Sequence, residues 1–227
     1  RLETGVKNVV AINRRARSAE QKALRRQAVL EAAETYFLEV GYEAFSMTRL
    51  AARTGLVKGT LYLYFQTREE LFLTLYEQSL TRWSQVFIDG LTLSMTSRVY
   101  AQTLYNTARA DGAFLPLLVR LEHVIEHNVS IRRLIESKRV FMRQVEIIAG
   151  STSSSLKLNK AQATEVVKTM GVLLIGATRT DQGPALDNEE LPADVQDLLT
   201  SFSSEPLFVK NAVRIIEGIR AEGASNS

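Results

Sequence analysis

Residues 47–66, Met-Thr-Arg-Leu-Ala-Ala-Arg-Thr-Gly-Leu-Val-Lys-Gly-Thr-Leu-Tyr-Leu-Tyr-Phe-Gln, carry the pattern that most constrains the fold of this chain. Small Ala51 lets a second helix approach closely, and Gly55 supplies the left-handed backbone conformation that ends a helix. The angle between the two helices would be filled by three leucines, Leu50, Leu56 and Leu61. The segment therefore predicts a helix-turn-helix; an ordinary helical hairpin with an apolar seam is the alternative.

The second helix of this motif exposes a cation and three hydroxyl groups, which belong to Lys58, Thr60, Tyr62 and Tyr64. Such groups suit the phosphate oxygens and base edges that line the major groove of DNA. The motif therefore favours DNA binding.

The flanking segments predict two further helices. An amphipathic helix that stops at Gly41 is indicated by apolar residues at helical spacing, Val29, Ala32, Ala33, Tyr36, Phe37 and Val40. After the motif, Thr67 and Glu70 form a Thr-x-x-Glu capping box that opens the next helix.

Residues 25–75 resemble the amino-terminal domain of the tetracycline-repressor (TetR) family of transcriptional regulators. The resemblance is carried by Gly41-Tyr42, Leu50-Ala51, Gly55 and Lys58-Gly59-Thr60-Leu61-Tyr62-Leu63-Tyr64-Phe65. It implies a core formed by Leu50, Ala51, Leu56, Leu61 and Phe65. The resemblance also implies DNA contacts from the motif, and we add Thr67 and Arg68 from the start of the next helix. The predicted DNA-contacting set is Ser46, Thr48, Arg49, Lys58, Gly59, Thr60, Tyr62, Tyr64, Thr67 and Arg68.

Two positions depart from the family pattern. Val57 stands where many members have a serine, so a side-chain cap and a phosphate contact are lost there. Arg49 stands where an acidic residue is common and adds positive charge near the groove. The docking geometry survives both changes, but the base contacts do not transfer.

The positive charge of the chain is concentrated near the motif. Residues 1–30 contain eight basic and two acidic residues, whereas the whole chain has a net charge of only +3. This distribution agrees with attraction to phosphates. We expect residues 1–20 to form a basic, flexible arm.

Composition excludes several other classes of protein. The chain has no cysteine, so it has neither disulfides nor thiol chemistry. No uncharged apolar run approaches the ~20 residues that span a bilayer, and there is no apolar signal-peptide segment. We expect a cytoplasmic protein that does not interact with membranes.

The remainder of the chain is predicted to be helical. Helices are expected near 80–95, 98–110, 114–127, 131–150, 159–178 and 205–222. The all-Ser/Thr segment Ser151–Ser155 and the segment Asp181–Pro192, with its Gly and Pro residues, are predicted to be surface loops.

The last two long helices are predicted to form a dimer interface. Each carries a continuous apolar face, and Gly171 and Gly176 would permit close backbone approach. Two such helices from each protomer would make the four-helix bundle that the resemblance implies; a well-packed monomer core is the alternative. The predicted interface residues are Val166, Val167, Met170, Leu173, Leu174, Ala177, Phe208, Ala212, Ile215, Ile216 and Ile219.

The middle helices are predicted to hold a cavity for a small, largely apolar or aromatic effector. Its expected lining mixes apolar walls with a few polar groups: Trp83, Phe87, Tyr100, Tyr105, Phe114, Leu118, Glu122, His123, Phe141 and Met142.

One enzyme-like pattern competes with this interpretation. Residues 123–127, His-Val-Ile-Glu-His, match H-x-x-E-H, in which two histidines one helical turn apart bind zinc and the glutamate acts as a base. A metallopeptidase also needs a third protein ligand and a substrate cleft, and the sequence identifies neither. We therefore expect no catalytic zinc, no metal and no cofactor; a non-catalytic metal or an anionic effector bound near His123 is the alternative.

The sequence thus predicts an all-α protein with an N-terminal three-helix helix-turn-helix DNA-binding domain, residues 21–66, and a larger helical ligand-binding and dimerisation domain, residues 67–227. We expect a non-enzymatic homodimeric regulator, a repressor released from a palindromic double-stranded DNA operator by a small-molecule effector. The alternative is a helix-turn-helix regulator whose C-terminal domain binds a protein partner.

Overall fold

The computed structural model describes residues 3–180 and 191–225, except for the side chains of residues 3–18, 123–124, 180 and 223–225. The chain divides into two compact units, Arg1–Leu71 and Phe72–Ser227. The predicted boundary after residue 66 lies about one helical turn before this division.

The described residues form helices and no strand, as predicted for an all-α protein. The helices are α1 (Glu3–Ala44), α2 (Met47–Arg53), α3 (Lys58–Tyr62), α4 (Arg68–Asp89), α5 (Ser97–Ala110), α6 (Phe114–Leu118), α7 (Ile131–Leu156), α8 (Lys160–Thr180), α9 (Ala193–Ser201) and α10 (Ser204–Ser225). A π-helical turn, Leu121–Ile125, and a 3₁₀ turn, Glu126–Asn128, lie between α6 and α7.

Helix α1 supports the helix-turn-helix through a buried apolar face that includes Leu30, Ala33 and Phe37. Gly41 interrupts the helix with φ 72° and ψ −179°, a conformation that is essentially restricted to glycine. The predicted end of the helix at Gly41 is therefore confirmed as a break in its geometry, after which one further turn leads to α2.

Helical structure extends into the segment expected to form a basic arm, and the flexibility of that arm stays a prediction. The structure extends α1 back to Glu3. The sequence of residues 14–28 is rich in Ala, Arg, Gln, Glu and Lys, all of which have high helix propensity. Local propensity therefore favours a continuous helix over this stretch.

The predicted loop Ser151–Ser155 is wrong, because these residues form the last turns of α7. Thr152 and Ser155 are buried there. The hydroxyl groups of Thr152 and Tyr100 hydrogen-bond to each other at 2.8 Å. A hydroxyl group of this Ser/Thr segment therefore finds a hydrogen-bond partner inside the protein.

Two other predicted segments also differ. The single helix expected over residues 114–127 is divided into α6, the π-helical turn and the 3₁₀ turn, and the Ile125 N–H donates to the Arg120 carbonyl oxygen at 3.3 Å. Most of the predicted loop Asp181–Pro192 lies outside the described residues. Helix α9, which follows it, was not predicted.

In the second unit, α8 packs against both α7 and α10, and α10 also packs against α5. Aromatic rings join α4 to its neighbours: Trp83 stacks on Phe114 of α6 with ring centroids 4.5 Å apart, and Phe87 meets Tyr100 of α5 edge-on at 5.4 Å.

An ion pair ties α4 to α7. The Arg133 guanidinium donates to both Glu77 carboxylate oxygens, at 2.7 and 2.6 Å, and to the Thr74 hydroxyl at 3.2 Å. The side chains of Arg133 and Glu77 are only 14% and 15% exposed. Such a largely buried, bidentate pair is costly to break because removal of one partner leaves the other charge unpaired.

Replacing Arg133 by methionine should lower the free energy of unfolding of the second unit by about 2–3 kcal/mol, because the Glu77 carboxylate loses its partner. Trp83 is the sole tryptophan of the chain and lies in this unit, so its fluorescence during urea unfolding reports the change. Arg132→Met is the matched control. Arg132 is 88% exposed and pairs with exposed Glu136, so its loss should cost well under about 1 kcal/mol. Equal effects of the two variants would contradict this assignment.

Candidate functional site

The turn between α2 and α3 has the geometry that the sequence predicts. Gly55 has φ 66°, in the left-handed region, and the Leu56 N–H donates to the Ala51 carbonyl oxygen at 2.9 Å. The Thr54 hydroxyl donates to the Leu50 carbonyl oxygen at 3.0 Å. These hydrogen bonds end α2 within one turn, and the chain changes direction before α3 begins.

The predicted core of the motif is confirmed for four of its five residues: Leu50, Ala51, Leu61 and Phe65 are buried. Leu56 is partly exposed. The Arg26 guanidinium lies over the Phe65 ring, 4.6 Å from its centroid, and this cation–π contact joins α1 to the motif.

Most of the predicted DNA-contacting residues of α2 and α3 are accessible. Thr48, Arg49, Lys58, Gly59 and Tyr62 are exposed. Ser46, Thr60 and Tyr64 are partly exposed, and Tyr64 lies just beyond the end of α3. Helix α3 is only five residues long and has no acidic residue in its first turn. Its exposed surface is therefore cationic and hydroxyl-bearing.

Val57 precedes α3 in an extended conformation, and its position has no side-chain cap. This agrees with the loss of capping predicted from the sequence. The N–H groups of Lys58 and Gly59 thus keep their capacity to bind an acceptor from outside the chain, whereas the Thr60 N–H donates to the Val57 carbonyl oxygen at 2.8 Å.

Thr67 and Arg68 have structural roles in the first unit. The Thr67 hydroxyl accepts from the Glu70 N–H at 3.0 Å, and the Glu70 carboxylate accepts from the Gln66 N–H at 2.8 Å, so the predicted cap of α4 is confirmed. The Arg68 guanidinium donates to the Tyr42 carbonyl oxygen at 2.9 Å and lies over the Tyr42 ring, 4.3 Å from its centroid. Their placement in the DNA-contacting set is the least supported part of that prediction.

The second unit contains an apolar cavity of about 170 Å³. Its walls come from α4, α5, α6, α7 and α8, and Glu122 of the π-helical turn also lines it. The aromatic stack of Trp83 on Phe114 forms part of the wall. The middle helices therefore enclose a space of the kind that the sequence predicts.

Six of the ten predicted lining residues line this cavity: Trp83, Tyr100, Phe114, Leu118, Glu122 and Phe141. Phe87 is buried behind Trp83, stacked on it with centroids 5.7 Å apart. Tyr105 hydrogen-bonds Ser204 of α10, away from the cavity lining. Met142 is 59% exposed, and the His123 side chain lies outside the described residues.

Sequence reasoning missed several lining residues. Tyr76 and Leu80 lie nine and thirteen residues after Thr67 on α4, in a segment whose sequence gave no sign of which side chains face a cavity. Gln144 and Ile148 of α7 were also missed. Their spacing of four residues from each other is the signal that could have placed them on one face.

Three residues of the predicted dimer interface, Val167, Met170 and Leu174, line the cavity. The reason is that the apolar stripe of α8 faces helices of its own chain. The structure also buries most of the predicted interface set inside one protomer: Val166, Met170, Leu174, Ala177, Phe208, Ala212, Ile216 and Ile219. Only Val167, Leu173 and Ile215 are partly exposed.

The H-x-x-E-H segment does not form a regular α-helical turn. His123 lies in the π-helical turn and His127 in the 3₁₀ turn, so the one-turn spacing of an α-helix is not kept between them. The Glu126 carboxylate is 2.7 Å from the Lys138 ammonium nitrogen. Among the residues whose side chains are described, no three His, Cys, Asp or Glu side chains converge on a point where a metal could bind.

Across the described residues, no helix has both the length and the apolar character that a membrane crossing requires.

Two protein-family models match the chain. Residues 29–75 match "Bacterial regulatory proteins, tetR family", and residues 77–221 match "Tetracyclin repressor-like, C-terminal domain". The HTH-type transcriptional repressor AcnR of Corynebacterium diphtheriae is 35% identical over 125 residues, which are 54% of this chain and 62% of AcnR. The match thus spans less than two thirds of that relative.

Solved structures share the fold. A possible TetR family transcriptional regulator from Streptomyces coelicolor A3(2) has a TM-score of 0.60 at 18% identity, over 86% of this chain and 98% of that one. A TetR variant from Acinetobacter baumannii AYE in complex with minocycline has a TM-score of 0.54 at 16% identity, over 85% and 94%. The second family match alone covers more than half of the sequence, and the chain therefore belongs to the TetR family of bacterial regulatory proteins.

Proposed function

We propose that this protein is a ligand-responsive transcriptional repressor that leaves its DNA operator when a small molecule occupies the cavity of the second unit. The observation that carries the proposal is the pairing, in one chain, of an accessible helix-turn-helix surface with an apolar cavity formed by separate helices. AcnR, to which the chain is similar, is named as a repressor, and the structurally similar TetR variant holds minocycline.

In this proposal α3 enters the major groove. Lys58 supplies a charged contact to a phosphate, and the hydroxyls of Thr60 and Tyr62 donate to or accept from base edges and phosphates. Gly59 has open space around its Cα, so the backbone of α3 can approach the DNA closely.

We further propose that the protein acts as a homodimer. A helix-turn-helix pair recognises two half-sites about 34 Å apart, one turn of DNA, and so reads a palindromic operator. Leu173 and Ile215, which are partly exposed and lie outside the cavity lining, give α8 and α10 an outward apolar surface for a second copy.

Helix α4 provides the proposed route of control. Its first turn belongs to the first unit, and its later residues Tyr76, Leu80 and Trp83 line the cavity. An effector that binds the DNA-free state better than the DNA-bound state shifts the population toward release. In the proposed mechanism the effector displaces α4 and changes the separation of the two α3 helices.

A second function is favoured by a separate observation. Helix α7 exposes an apolar stripe at helical spacing, Ile131, Ile135 and Met142, which are 71%, 46% and 59% exposed. A regulator whose second unit binds a protein partner would use such a stripe. Nothing in this alternative requires catalysis, and we propose that the protein is not an enzyme.

Lys58→Ala, Thr60→Ala and Tyr62→Phe should each weaken operator binding by about 1–3 kcal/mol without unfolding the protein, because these side chains project from α3. Lys58→Ala should also reduce the dependence of affinity on salt. Fluorescence anisotropy with an operator selected from random DNA measures both effects.

Two controls match these variants. Lys210→Ala removes an exposed lysine of α10, and Thr35→Ala removes an exposed hydroxyl of α1 that donates to the Glu31 carbonyl oxygen. Both should bind the operator like the parent protein. Unchanged affinity in all three α3 variants would rule out the proposed docking.

An effector that weakens operator binding 100-fold must bind the DNA-free protein 100-fold more tightly than it binds the DNA-bound protein. This factor corresponds to a coupling free energy of about 2.7 kcal/mol. Leu118→Phe, which fills part of the cavity, should therefore reduce the response to effector while operator affinity without effector stays the same. Titration of effector into the protein–operator complex tests this. Leu198→Phe, at a 56% exposed position of α9 outside the cavity, is the control. Tight cavity ligands that never change operator affinity would favour the protein-partner function.

Protein purified without chelator should contain substoichiometric zinc, because the described side chains offer no third ligand near His127. Elemental analysis, with a peptidase assay of the parent protein and His123→Ala, provides the test. Stoichiometric zinc together with an activity that the variant loses would establish an enzyme instead.

A further inference from the structure

A tyrosine of the cavity wall has a buried hydroxyl group whose hydrogen-bonding capacity is unused. Tyr76 is 2% exposed and lines the cavity, and its Oη atom has no hydrogen-bond partner among the described residues. By contrast, the other phenol of the cavity wall, on Tyr100, bonds to Thr152. Since buried polar groups are nearly always paired, the Tyr76 hydroxyl marks a position where a bound molecule supplies the partner.

Burial and three nearby carboxylates both disfavour ionisation of this hydroxyl. Burial, followed by the charges of Glu126, Glu77 and Glu122, raises the pKa of Tyr76 above its ordinary value. The phenol therefore stays neutral, with an O–H to donate and lone pairs to accept.

Two of these three carboxylates are compensated by cations. Glu77 is paired with Arg133, and Glu126 is paired with Lys138. Glu122 lines the cavity, is solvent-exposed, and has no ion pair or hydrogen bond to any other residue that the structure describes. A negative charge without a counter-ion among the described residues thus borders the cavity, and it is one of the charges that act on the Tyr76 hydroxyl.

The size and walls of the cavity limit the shape of a ligand. Phe114 lies between Trp83 and Tyr76, with ring centroids 4.5 and 6.2 Å away and interplanar angles of 13° and 15°. The volume of about 170 Å³ is close to that of a protein cavity of about 150 Å³ that holds benzene. One six-membered ring with a short side chain therefore fits.

We propose that the cavity binds a small aromatic cation whose ring lies against the aromatic wall and whose ammonium group donates to the Tyr76 Oη, with Glu122 as its counter-ion. Aromatic faces also attract a cation that has left water. The inference rests on the proposed function in one respect: the cation is the effector that controls operator binding.

Lys168 is the feature that opposes this assignment, because it also lines the cavity and carries a positive charge. It is exposed, however, and it also borders an open surface depression on α8 with Glu165. A lysine ammonium on a flexible chain keeps its hydration at such a site. Of these two residues, Glu122 is among the charges that act on the Tyr76 hydroxyl, and Lys168 is not. The two residues predict opposite ligand charges.

Three probes of similar size separate these possibilities in the protein of 227 residues: 2-phenylethylammonium, 2-phenylethanol and phenylacetate. Calorimetric titration should give the tightest binding for the ammonium, about five-fold tighter than for the alcohol, because an exposed carboxylate contributes a modest charge interaction. Phenylacetate should bind most weakly.

Variants assign the preference to residues. Glu122→Gln should bring the ammonium and the alcohol to nearly equal affinity, while Glu146→Gln, an exposed carboxylate of α7 outside the cavity, should leave their ratio unchanged. Tyr76→Phe should weaken both probes, and Lys168→Gln should tighten the ammonium slightly. Circular dichroism melting confirms that each variant is folded. Because Glu122 is exposed, Glu122→Gln tests the role of the carboxylate charge even if Tyr76→Phe fails to fold.

Tightest binding by phenylacetate, abolished in Lys168→Gln, would overturn the proposal, as would a Glu122→Gln variant that keeps the preference for the ammonium. If none of the probes binds while the protein still binds its operator, the ligand class is wrong and the DNA-binding function stands. If the ammonium binds as described but leaves operator affinity unchanged, the ligand class stands and effector control of DNA binding is wrong.

Discussion

The contact between Trp83 and Phe114 is the interaction on which the cavity of the second unit depends. The indole ring is fixed from three helices: it belongs to α4, stacks on α6, and donates from its Nε1 to the Thr107 hydroxyl of α5 at 3.2 Å. Asp111 also joins α4 to α6, because its carboxylate accepts from the Phe114 N–H at 3.0 Å and pairs with Arg82. A wall held in this way is formed before any ligand arrives, so binding costs little ordering of the protein.

The helix-turn-helix could be predicted in detail because its determinants are local in sequence. A left-handed residue at Gly55 and apolar residues at Leu50, Leu61 and Phe65 fix two short helices and the angle between them. The cap of α4 by Thr67 is equally local. By contrast, an apolar stripe such as that of α8 has the same sequence pattern whether its partner is another helix of the chain or a second copy. Burial of Met170 and Leu174 within the protomer was therefore not predictable from spacing.

Polar groups inside the second unit were the least predictable feature. The Ser/Thr run of residues 151–155 resembles a loop, yet Thr152 is satisfied by a tyrosine 52 positions earlier in the chain. Tyr76 lies within a run of buried residues, and hydropathy does not distinguish a paired phenol from an unpaired one. Both outcomes depend on contacts that are distant in sequence, whose partners emerge only when the helices are assembled.

Gly41 limits the mutational paths open to this chain. Nothing lies within 4 Å of the position where its Cβ would be, so a larger side chain has room, and the restriction comes from the φ and ψ angles alone. Every single-base change in a glycine codon that alters the amino acid introduces a side chain. Any such substitution at position 41 therefore strains the backbone, whereas the φ angle and surroundings of Gly59 impose no such restriction within the protein itself. Substitutions on α3 can therefore change DNA recognition, whereas the break at Gly41 that ends the regular part of α1 is retained.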